Sequence, residues 1–304
     1  YRPNCSRPVP RLLTSPPTPP ARLLCKRIRY FHIPKAGSSF AEYVWAWACP
    51  SLPLEQRTVT FRPNVSGIIQ ATSMVDLNRR YRAGLCPCSM GPLDFAYHHQ
   101  SLEMEYMVAA SAGVFRAPAA RIVSAFNYGL HAHRMEPASR AAMKAAVDGA
   151  SESRQLQLDT YAQWPGVASV STKMLLGLNV SAVVLLNATD LQMAVSRVWK
   201  MAFVGLTECF DESAELFMRV FPGRVYPYHP SHLRSGALNS SLARSSDEVL
   251  LCSSGFDDVP DATVYQAAVT RFVQDLRAAG LSAETEACRA ALHEWQLNRA
   301  SACL

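Results

Sequence analysis

The residues best suited to chemistry in this sequence follow a short β-type run at residues 28–33. They form a tight turn with one lysine, one glycine and two hydroxyls: Pro34-Lys35-Ala36-Gly37-Ser38-Ser39. An apolar run at residues 40–48 then predicts a helix. A turn of this kind between a strand and a helix binds anions, because free N–H groups and the helix dipole point at the ligand. Lys35 adds a point charge, and Gly37 lets the backbone approach closely. This turn therefore predicts a phosphate or sulfate site.

A second set of anion-binding side chains lies further along the chain. An apolar run at residues 106–115 predicts a buried parallel strand that delivers Arg116 to the carboxyl edge of a sheet. Residues 118–130 predict a helix that carries Ser124 two turns in. Because α/β sheets bind ligands at this edge, a guanidinium and a hydroxyl there would make charge-assisted bonds to an oxyanion. We expect Arg121, on the same helix, to support the structure.

Histidines supply the candidate general base. His98 and His99 follow a β-type run at residues 93–97, just before the strand that leads to Arg116. Histidine titrates near neutral pH, so either imidazole could accept a proton from a hydroxyl. Structural roles, or roles in lining an acceptor groove, remain open for both. We expect His131 and His133 at a solvated helix end, with contact to an anionic or sugar acceptor as the alternative.

The order of strand and helix patterns predicts an α/β fold with a central parallel sheet flanked by helices. With 304 residues, 49% of them hydrophobic, the chain can bury a sizeable core. Residues 1–24 are rich in Pro and Arg and predict an extended linker or stem, which leaves 25–304 as the folded domain. Further strands are predicted at 57–61, 182–186 and 201–206. Further helices are predicted at 72–81, 138–148, 152–161, 190–200, 211–220, 263–279 and 282–298, with 222–258 irregular.

Cysteine and asparagine usage indicates the secretory pathway. Nine cysteines favour disulfides in an oxidising compartment, and their connectivity is open. Five asparagines stand in N-x-[ST] acceptor patterns: Asn4, Asn64, Asn179, Asn187 and Asn239. No stretch of 18 or more apolar residues occurs in the chain. We expect a lumenal domain whose membrane anchor precedes residue 1, with a secreted enzyme as the alternative.

The net charge and the spacing of potential metal ligands limit the classes of ligand and partner that the sequence predicts. A net charge of +6 and a pI near 8.9 suit an anionic ligand or acceptor. The dense Lys/Arg runs of a nucleic-acid binder are absent from the sequence, so no nucleic acid is expected. The Cys86-Pro87-Cys88 spacing does not suit zinc, and we expect no metal.

The two anion motifs resemble those of one enzyme family. The lysine turn, in the order H-x-P-K-x-G-S-S, resembles the 5′-phosphosulfate loop of sulfotransferases that use 3′-phosphoadenosine-5′-phosphosulfate (PAPS). The pattern R-x-P-x-x-R-x-x-S-x-F from Arg116 onward resembles their 3′-phosphate motif, although Ala117 stands where the family usually has Asp. Residues 172–177, 203–213 and 261–272 are similar to further segments of the family. The resemblance covers about residues 27–279 and is greatest to the lumenal branch that sulfates carbohydrates, such as heparan sulfate 2-O-sulfotransferase.

This resemblance implies a P-loop-type three-layer fold and transfer of a sulfuryl group from PAPS to a hydroxyl of a carbohydrate or other acceptor. It implies a Golgi location as the lumenal part of a type II membrane protein. It assigns binding of the 3′-phosphate to Arg116 and Ser124. It assigns to Lys35 the neutralisation of negative charge on the oxygen that bridges sulfate and phosphate. His99 aligns with the family's catalytic base, and a shift of one residue would place His98 there instead. The resemblance assigns binding of the 5′-phosphosulfate to Lys35, Ala36, Gly37, Ser38 and Ser39.

Two other functions remain open from the sequence. A P-loop kinase or nucleotide hydrolase would need a Mg²⁺-binding Ser or Thr directly after the lysine, where this chain has Ala36. A catalytically inactive glycan-binding protein could share the same fold and lack sulfate transfer. Magnesium-dependent ATP turnover would indicate the first, and loss of nucleotide binding or transfer would indicate the second.

Overall fold

The computed structural model describes residues 27–37, 40, 44, 48, 88, 101–102, 105–132, 135–221 and 246–297. The predicted linker at 1–24, the strands predicted at 57–61 and 93–97 and the helix predicted at 72–81 lie outside these residues. Phe40, Val44 and Ala48 are helical and fully buried. Their four-residue spacing fits the helix predicted after the lysine turn.

A three-stranded parallel sheet lies at the centre, in the order β1 (Arg29–Phe31), β2 (Ser111–Phe115) and β3 (Phe203–Leu206). Every residue of β2 and β3 is buried, as expected for a parallel sheet covered on both faces. In register, Phe31 pairs with Gly113, and Gly113 with Val204. The prediction of an α/β fold with a parallel sheet flanked by helices is confirmed.

Ten helices accompany the sheet within the described residues. They are α1 (Glu105–Ala109), α2 (Pro118–Asn127), α3 (Pro137–Gly149), α4 (Arg154–Ala162), α5 (Val170–Leu176), α6 (Ala188–Lys200), α7 (Phe210–Val220), α8 (Ser246–Ser253), α9 (Val259–Ala278) and α10 (Glu286–Leu297). Helices α7 and α9 pack on β3, and α6 packs on α9. Beside the sheet, the Phe40 ring stacks on Phe203 with ring centroids 5.5 Å apart, and Phe217 meets both rings edge-on.

Two predicted strands differ from the structure. The run at 106–115 divides into helix α1 and strand β2, and the Ser111 hydroxyl donates to the Met107 carbonyl at 2.6 Å where the helix ends. The predicted strand at 182–186 is irregular, with Val183 and Leu185 88% and 95% exposed. A β-type pattern forms a strand only where a neighbouring strand accepts its hydrogen bonds.

Two helix boundaries also differ. Helix α6 begins two residues earlier than predicted, because the Asn187 side chain accepts from the Thr189 and Asp190 amides while Asp190 accepts from the Asn187 amide. Helix α8 lies within residues 222–258, which were expected to be irregular. Helices α2, α3, α4, α7, α9 and α10 fall within a few residues of their predicted positions, and α5 is not among the helices that the sequence pattern predicts.

A buried ionic network joins α2, α5 and α9. The Arg121 guanidinium is 3.4 Å from Asp261 and 4.0 Å from Asp258, and it donates to the Val167 carbonyl at 2.6 Å. Asp261 also accepts from the Thr172 amide and hydroxyl, both at 2.8 Å. All three charged side chains are nearly fully buried. Arg121 is therefore a structural residue, as expected from the sequence.

A disulfide between Cys209 and Cys288 connects the chain after β3 to α10 across 79 residues. Beside it, the buried Glu212 carboxylate accepts from the Glu284 and Thr285 amides at 3.1 and 2.7 Å. Cys88 and Cys252 are disulfide-bonded as well. Within the described part of the chain, none of the helices combines the length and apolar character needed to cross a membrane.

Replacement of Arg121 tests the ionic network. Arg121→Met removes the guanidinium that lies against two buried carboxylates and leaves near them the more distant charge of Lys173, so we expect the free energy of unfolding in urea at pH 7.5 to fall by roughly 3 kcal/mol. Arg219→Met is the matched control, because Arg219 forms an exposed pair with Glu215 on α7 and should change stability by less than about 0.5 kcal/mol.

The same variant has a defined pH dependence. Burial, followed by the neighbouring Asp261 carboxylate, raises the pKa of Asp258 in the folded chain. The folded protein thus holds this proton more tightly than the unfolded chain. The associated stability is present at low pH and is lost as pH rises above the ordinary value of about 3.9. Without Arg121 the rise in pKa is larger, so the deficit of the variant should grow between pH 5 and pH 8. A deficit that shrinks over this range would contradict the role of Arg121 as the counter-ion.

Candidate anion-binding site

The carboxyl ends of the three strands bring three polar residues to one edge of the sheet. Lys35 follows β1, Arg116 follows β2 and Glu208 follows β3. Arg116 Nη1 donates to the Lys35 carbonyl at 3.3 Å, so the two predicted anion motifs are in direct contact. This edge is where parallel α/β sheets present ligand-binding groups.

The lysine turn is held by backbone and tyrosine hydrogen bonds. The Ala36 amide donates to the Ile33 carbonyl at 3.1 Å, and the hydroxyl of the half-buried Tyr30 donates to the Gly37 carbonyl at 2.7 Å. Lys35 and Gly37 both have left-handed backbone, with φ of 63° and 70°. Such a conformation is uncommon for a lysine and persists where the surrounding structure enforces it.

Gly37 also has no room for a side chain. A Cβ atom there would lie 2.7 Å from the Cβ of Val114 in the central strand and 3.2 Å from the Tyr30 hydroxyl oxygen. The turn therefore packs directly on the sheet, which fixes the position of the Lys35 backbone.

The Lys35 side chain reaches the C-terminal end of helix α2. Its ammonium lies 3.8 Å from the centroid of the Tyr128 ring, in cation–π geometry. Burial, reinforced by the positive charge of Arg116, lowers the pKa of Lys35 to about 8. In the part of the chain that the structure describes, neither Lys35 nor Arg116 is paired with a carboxylate. Two adjacent cations without a counter-ion favour the binding of an anion.

Ser124 lies on α2, and along the chain it stands between two residues that contact Lys35. These are Arg116, which donates to the Lys35 carbonyl, and Tyr128, whose ring faces the Lys35 ammonium. Arg116 precedes the helix, and Tyr128 follows Ser124 by one turn, with its amide donating to the Ser124 carbonyl at 3.2 Å. Residues four apart share a helix face, so Ser124 and Tyr128 lie on the same side. Ser124 is half-buried, whereas its neighbours Val123 and Ala125 are buried in an apolar cluster with residues of helices α3, α4 and α8.

Glu208 supports the loop that carries Arg116, and sequence reasoning gave it no role. Its Oε1 accepts from the Ala117 amide at 3.0 Å, and its Oε2 accepts from the Tyr265 hydroxyl at 2.9 Å. The loop therefore receives a carboxylate from β3 although Ala117 has none of its own. The sequence feature that could have identified Glu208 is its position, since it is an acidic residue two positions after the buried strand β3.

His131 differs from its predicted solvated position. It is half-buried, its ring lies 6.2 Å from that of Tyr128, and its carbonyl accepts from the Tyr161 hydroxyl at 2.7 Å. Burial, then the charges of Lys35 and Arg140, lower the pKa of His131. Its imidazole is therefore neutral near pH 7 and belongs to the surroundings of Lys35.

Of the predicted site residues, the structure describes Lys35, Ala36, Gly37, Arg116 and Ser124. It brings the lysine turn and Arg116 together at one edge of the sheet, and Ser124 lies on α2 one turn before Tyr128. Ser38, Ser39, His98 and His99 lie outside the described residues, so their assigned roles stay predictions. One group of potential metal ligands occurs among the described residues: Cys209, Glu212 and Cys288. Its two cysteines form a disulfide and offer no thiolate to a metal.

Comparison with known proteins adds no assignment to this geometry. No protein-family model, curated protein or solved structure matches the chain. The site is therefore defined by its own contacts: two adjacent cations with no carboxylate partner among the described residues, a glycine turn packed on the central strand, and a hydroxyl on the adjoining helix.

Replacement of Gly37 by alanine tests how closely the turn packs on the sheet. We expect Gly37→Ala to lower the free energy of unfolding by about 2–4 kcal/mol, because left-handed backbone and a clash with Val114 both oppose a side chain. Gly280→Ala is the matched control, since its φ of 69° is the same but a Cβ there meets nothing within 4 Å. Equal losses in the two variants, measured by urea unfolding, would contradict the close packing of the turn.

Hydrogen exchange tests the role of Glu208. Glu208→Ala removes the acceptor of the Ala117 amide, and we expect that amide to exchange about tenfold faster. Glu208→Gln keeps an acceptor oxygen and should retain most of the protection. The Arg121 amide, which donates to the Ala117 carbonyl at 2.9 Å, serves as an internal reference within the same helix. Unchanged exchange at Ala117 in Glu208→Ala would rule out this support.

Proposed function

We propose that this chain is a sulfotransferase that transfers the sulfuryl group of PAPS to a hydroxyl, with a carbohydrate as the acceptor. The observation that carries the proposal is the contact between Arg116 and the Lys35 turn, because it puts two adjacent cations at one edge of a parallel sheet. A nucleotide with phosphates at both its 3′ and 5′ positions needs two such cationic points. The proposal includes a P-loop-type three-layer fold around the three parallel strands.

Each residue has a distinct role in the proposed reaction. Lys35, Ala36, Gly37, Ser38 and Ser39 bind the 5′-phosphosulfate through backbone N–H groups, hydroxyls and one ammonium. Arg116 and Ser124 bind the 3′-phosphate. Glu208 acts indirectly, by fixing the backbone from which Arg116 projects.

Sulfuryl transfer proceeds by in-line displacement. The acceptor oxygen forms a bond to sulfur, the bond between sulfur and the bridging phosphate oxygen breaks, and adenosine 3′,5′-bisphosphate leaves. His99, or His98 in the alternative register, takes the acceptor proton. The Lys35 ammonium stabilises the negative charge that develops on the bridging oxygen.

The lowered pKa of Lys35 fits this role. At pH 7 the group is still mainly protonated, since its pKa is about 8 in the described structure. An ammonium in a partly desolvated position acts more strongly on a nearby anion than one in bulk water. The bound phosphosulfate would in turn favour the charged form and raise this pKa.

The setting of the reaction is part of the proposal. We infer a Golgi location, with this chain as the lumenal part of a type II membrane protein. The disulfide between Cys209 and Cys288 supports an oxidising compartment. The carbohydrate acceptor is inferred from the resemblance of the motifs to the lumenal branch of the family.

Isothermal titration with adenosine 3′,5′-bisphosphate tests the nucleotide site. We expect Arg116→Ala and Lys35→Ala each to weaken binding by about 10- to 100-fold, since each removes a charge-assisted bond, and Ser124→Ala to weaken it by about 5-fold. Arg219→Ala is the control: Arg219 ends helix α7, which starts just after β3 and leads away from the edge that carries the site. Binding that does not depend on Arg116 and Ser124 would overturn the nucleotide assignment.

Transfer of radiolabelled sulfate to a panel of glycan acceptors tests the reaction. Replacement of the true base should abolish transfer while leaving bisphosphate affinity within about twofold of wild type. Separate His98→Ala and His99→Ala variants determine which histidine it is. Full transfer activity in both variants would exclude a histidine base from this pair.

A further inference from the structure

We propose that Tyr128 is the positioning residue that holds the Lys35 ammonium in the candidate site through the face of its ring. The observation is the 3.8 Å separation between Lys35 Nζ and the ring centroid. The catalytic meaning of this contact rests on the proposed function, but the contact itself can be tested without it.

The electrostatics of the site explain why an aromatic ring suits this position. Arg116 lies against the same turn and repels the Lys35 ammonium. A carboxylate would relieve the repulsion, but it would also cancel the positive charge and repel an anionic ligand. The negative face of an aromatic ring stabilises an ammonium while adding no net charge. Tyr128 therefore holds the lysine and leaves its charge available.

The end of helix α2 fixes the ring in place. Tyr128 caps the helix, and its amide donates to the Ser124 carbonyl. Two left-handed residues follow, Gly129 and Leu130, with φ of 79° and 56°. The Leu130 amide donates to the Phe126 carbonyl at 3.1 Å, which closes the turn. A bulky residue such as leucine is rarely left-handed, so this turn is held under strain at the point where it presents the ring.

Exposure argues against a packing role for Tyr128. Its side chain is 57% exposed, in contrast to Tyr161 and Tyr265, which are buried in the core. The edge of the Tyr128 ring meets His131 at a centroid distance of 6.2 Å and an interplanar angle of 76°. A tyrosine with this exposure contributes little to the core, and its described ring contacts are with the lysine and the histidine of the site.

Two substitutions distinguish the effect of the aromatic ring face from the effect of apolar contact alone. Tyr128→Phe keeps the aromatic face, and Tyr128→Leu keeps an apolar side chain without it. Tyr106→Leu is the control, because Tyr106 is 65% exposed on helix α1. None of these positions is buried, so all three variants should melt within about 2 °C of wild type.

The first measurement is the pKa of Lys35 in the intact chain, obtained from its acylation rate against pH by mass spectrometry. We expect the value in Tyr128→Phe to match wild type and that in Tyr128→Leu to be about one pH unit lower, because the repulsion from Arg116 is no longer offset. His131 does not obscure the result, since burial and two neighbouring cations hold its pKa below its usual value. A pKa in Tyr128→Leu that is unchanged or higher than wild type would overturn the proposal.

The second measurement is the pH profile of sulfate transfer. Activity requires protonated Lys35 and is therefore lost as pH rises through its pKa. In Tyr128→Leu the alkaline limb of kcat/KM, which reports the free enzyme, should move about one pH unit lower, so that kcat/KM at pH 7.5 falls about threefold. Tyr128→Phe should keep the wild-type profile. A uniform loss at all pH values would indicate a merely structural role and overturn the proposal. If wild type binds no adenosine 3′,5′-bisphosphate, the proposed function fails, and the acylation result still decides the role of Tyr128.

Discussion

The candidate site depends on one constraint: β1, β2 and β3 are parallel and must end at the same edge of the sheet. Lys35 and Arg116 belong to different strand–helix units, and only the pairing of β1 with β2 brings them within hydrogen-bond distance. Their like charges oppose this arrangement. The register is kept by the buried strands themselves and by Gly37, whose missing side chain lets the turn lie on Val114. Packing of the sheet thus maintains an electrostatic arrangement that is unfavourable on its own.

Support for the cationic edge comes from groups that carry no positive charge. Glu208 fixes the backbone after Arg116 and is itself held by the Tyr265 hydroxyl on helix α9. Tyr128 faces the ammonium of Lys35 from the end of α2. The disulfide at Cys209, the residue next to Glu208, ties the same region to α10. Each of these contacts limits movement at the edge while leaving both cations without a described carboxylate partner.

Local patterns predicted the parts of the site that lie within one strand–turn–helix unit. The lysine turn and the helix that starts after Arg116 follow from short-range spacing, glycine and proline chemistry. Contacts between distant segments did not follow: Ala117 and Glu208 are 91 residues apart, and no periodicity connects them. The apolar run at 106–115 predicts one long strand, but its first half is helical in the structure. Short apolar runs fit a buried helix and a buried strand equally well, so the pattern does not reveal the boundary between them. The β-type run at 182–186 has the right composition but makes no strand in the structure.

The absence of a described counter-ion at Lys35 and Arg116 has a consequence for handling this protein. If the proposed site binds small oxyanions, they would bind the native state and not the unfolded chain, and would raise the melting temperature by mass action. Phosphate or sulfate buffers would therefore mask differences among variants of the site. They would also compete with a nucleotide in titrations. An uncharged or weakly coordinating buffer is the appropriate reference condition.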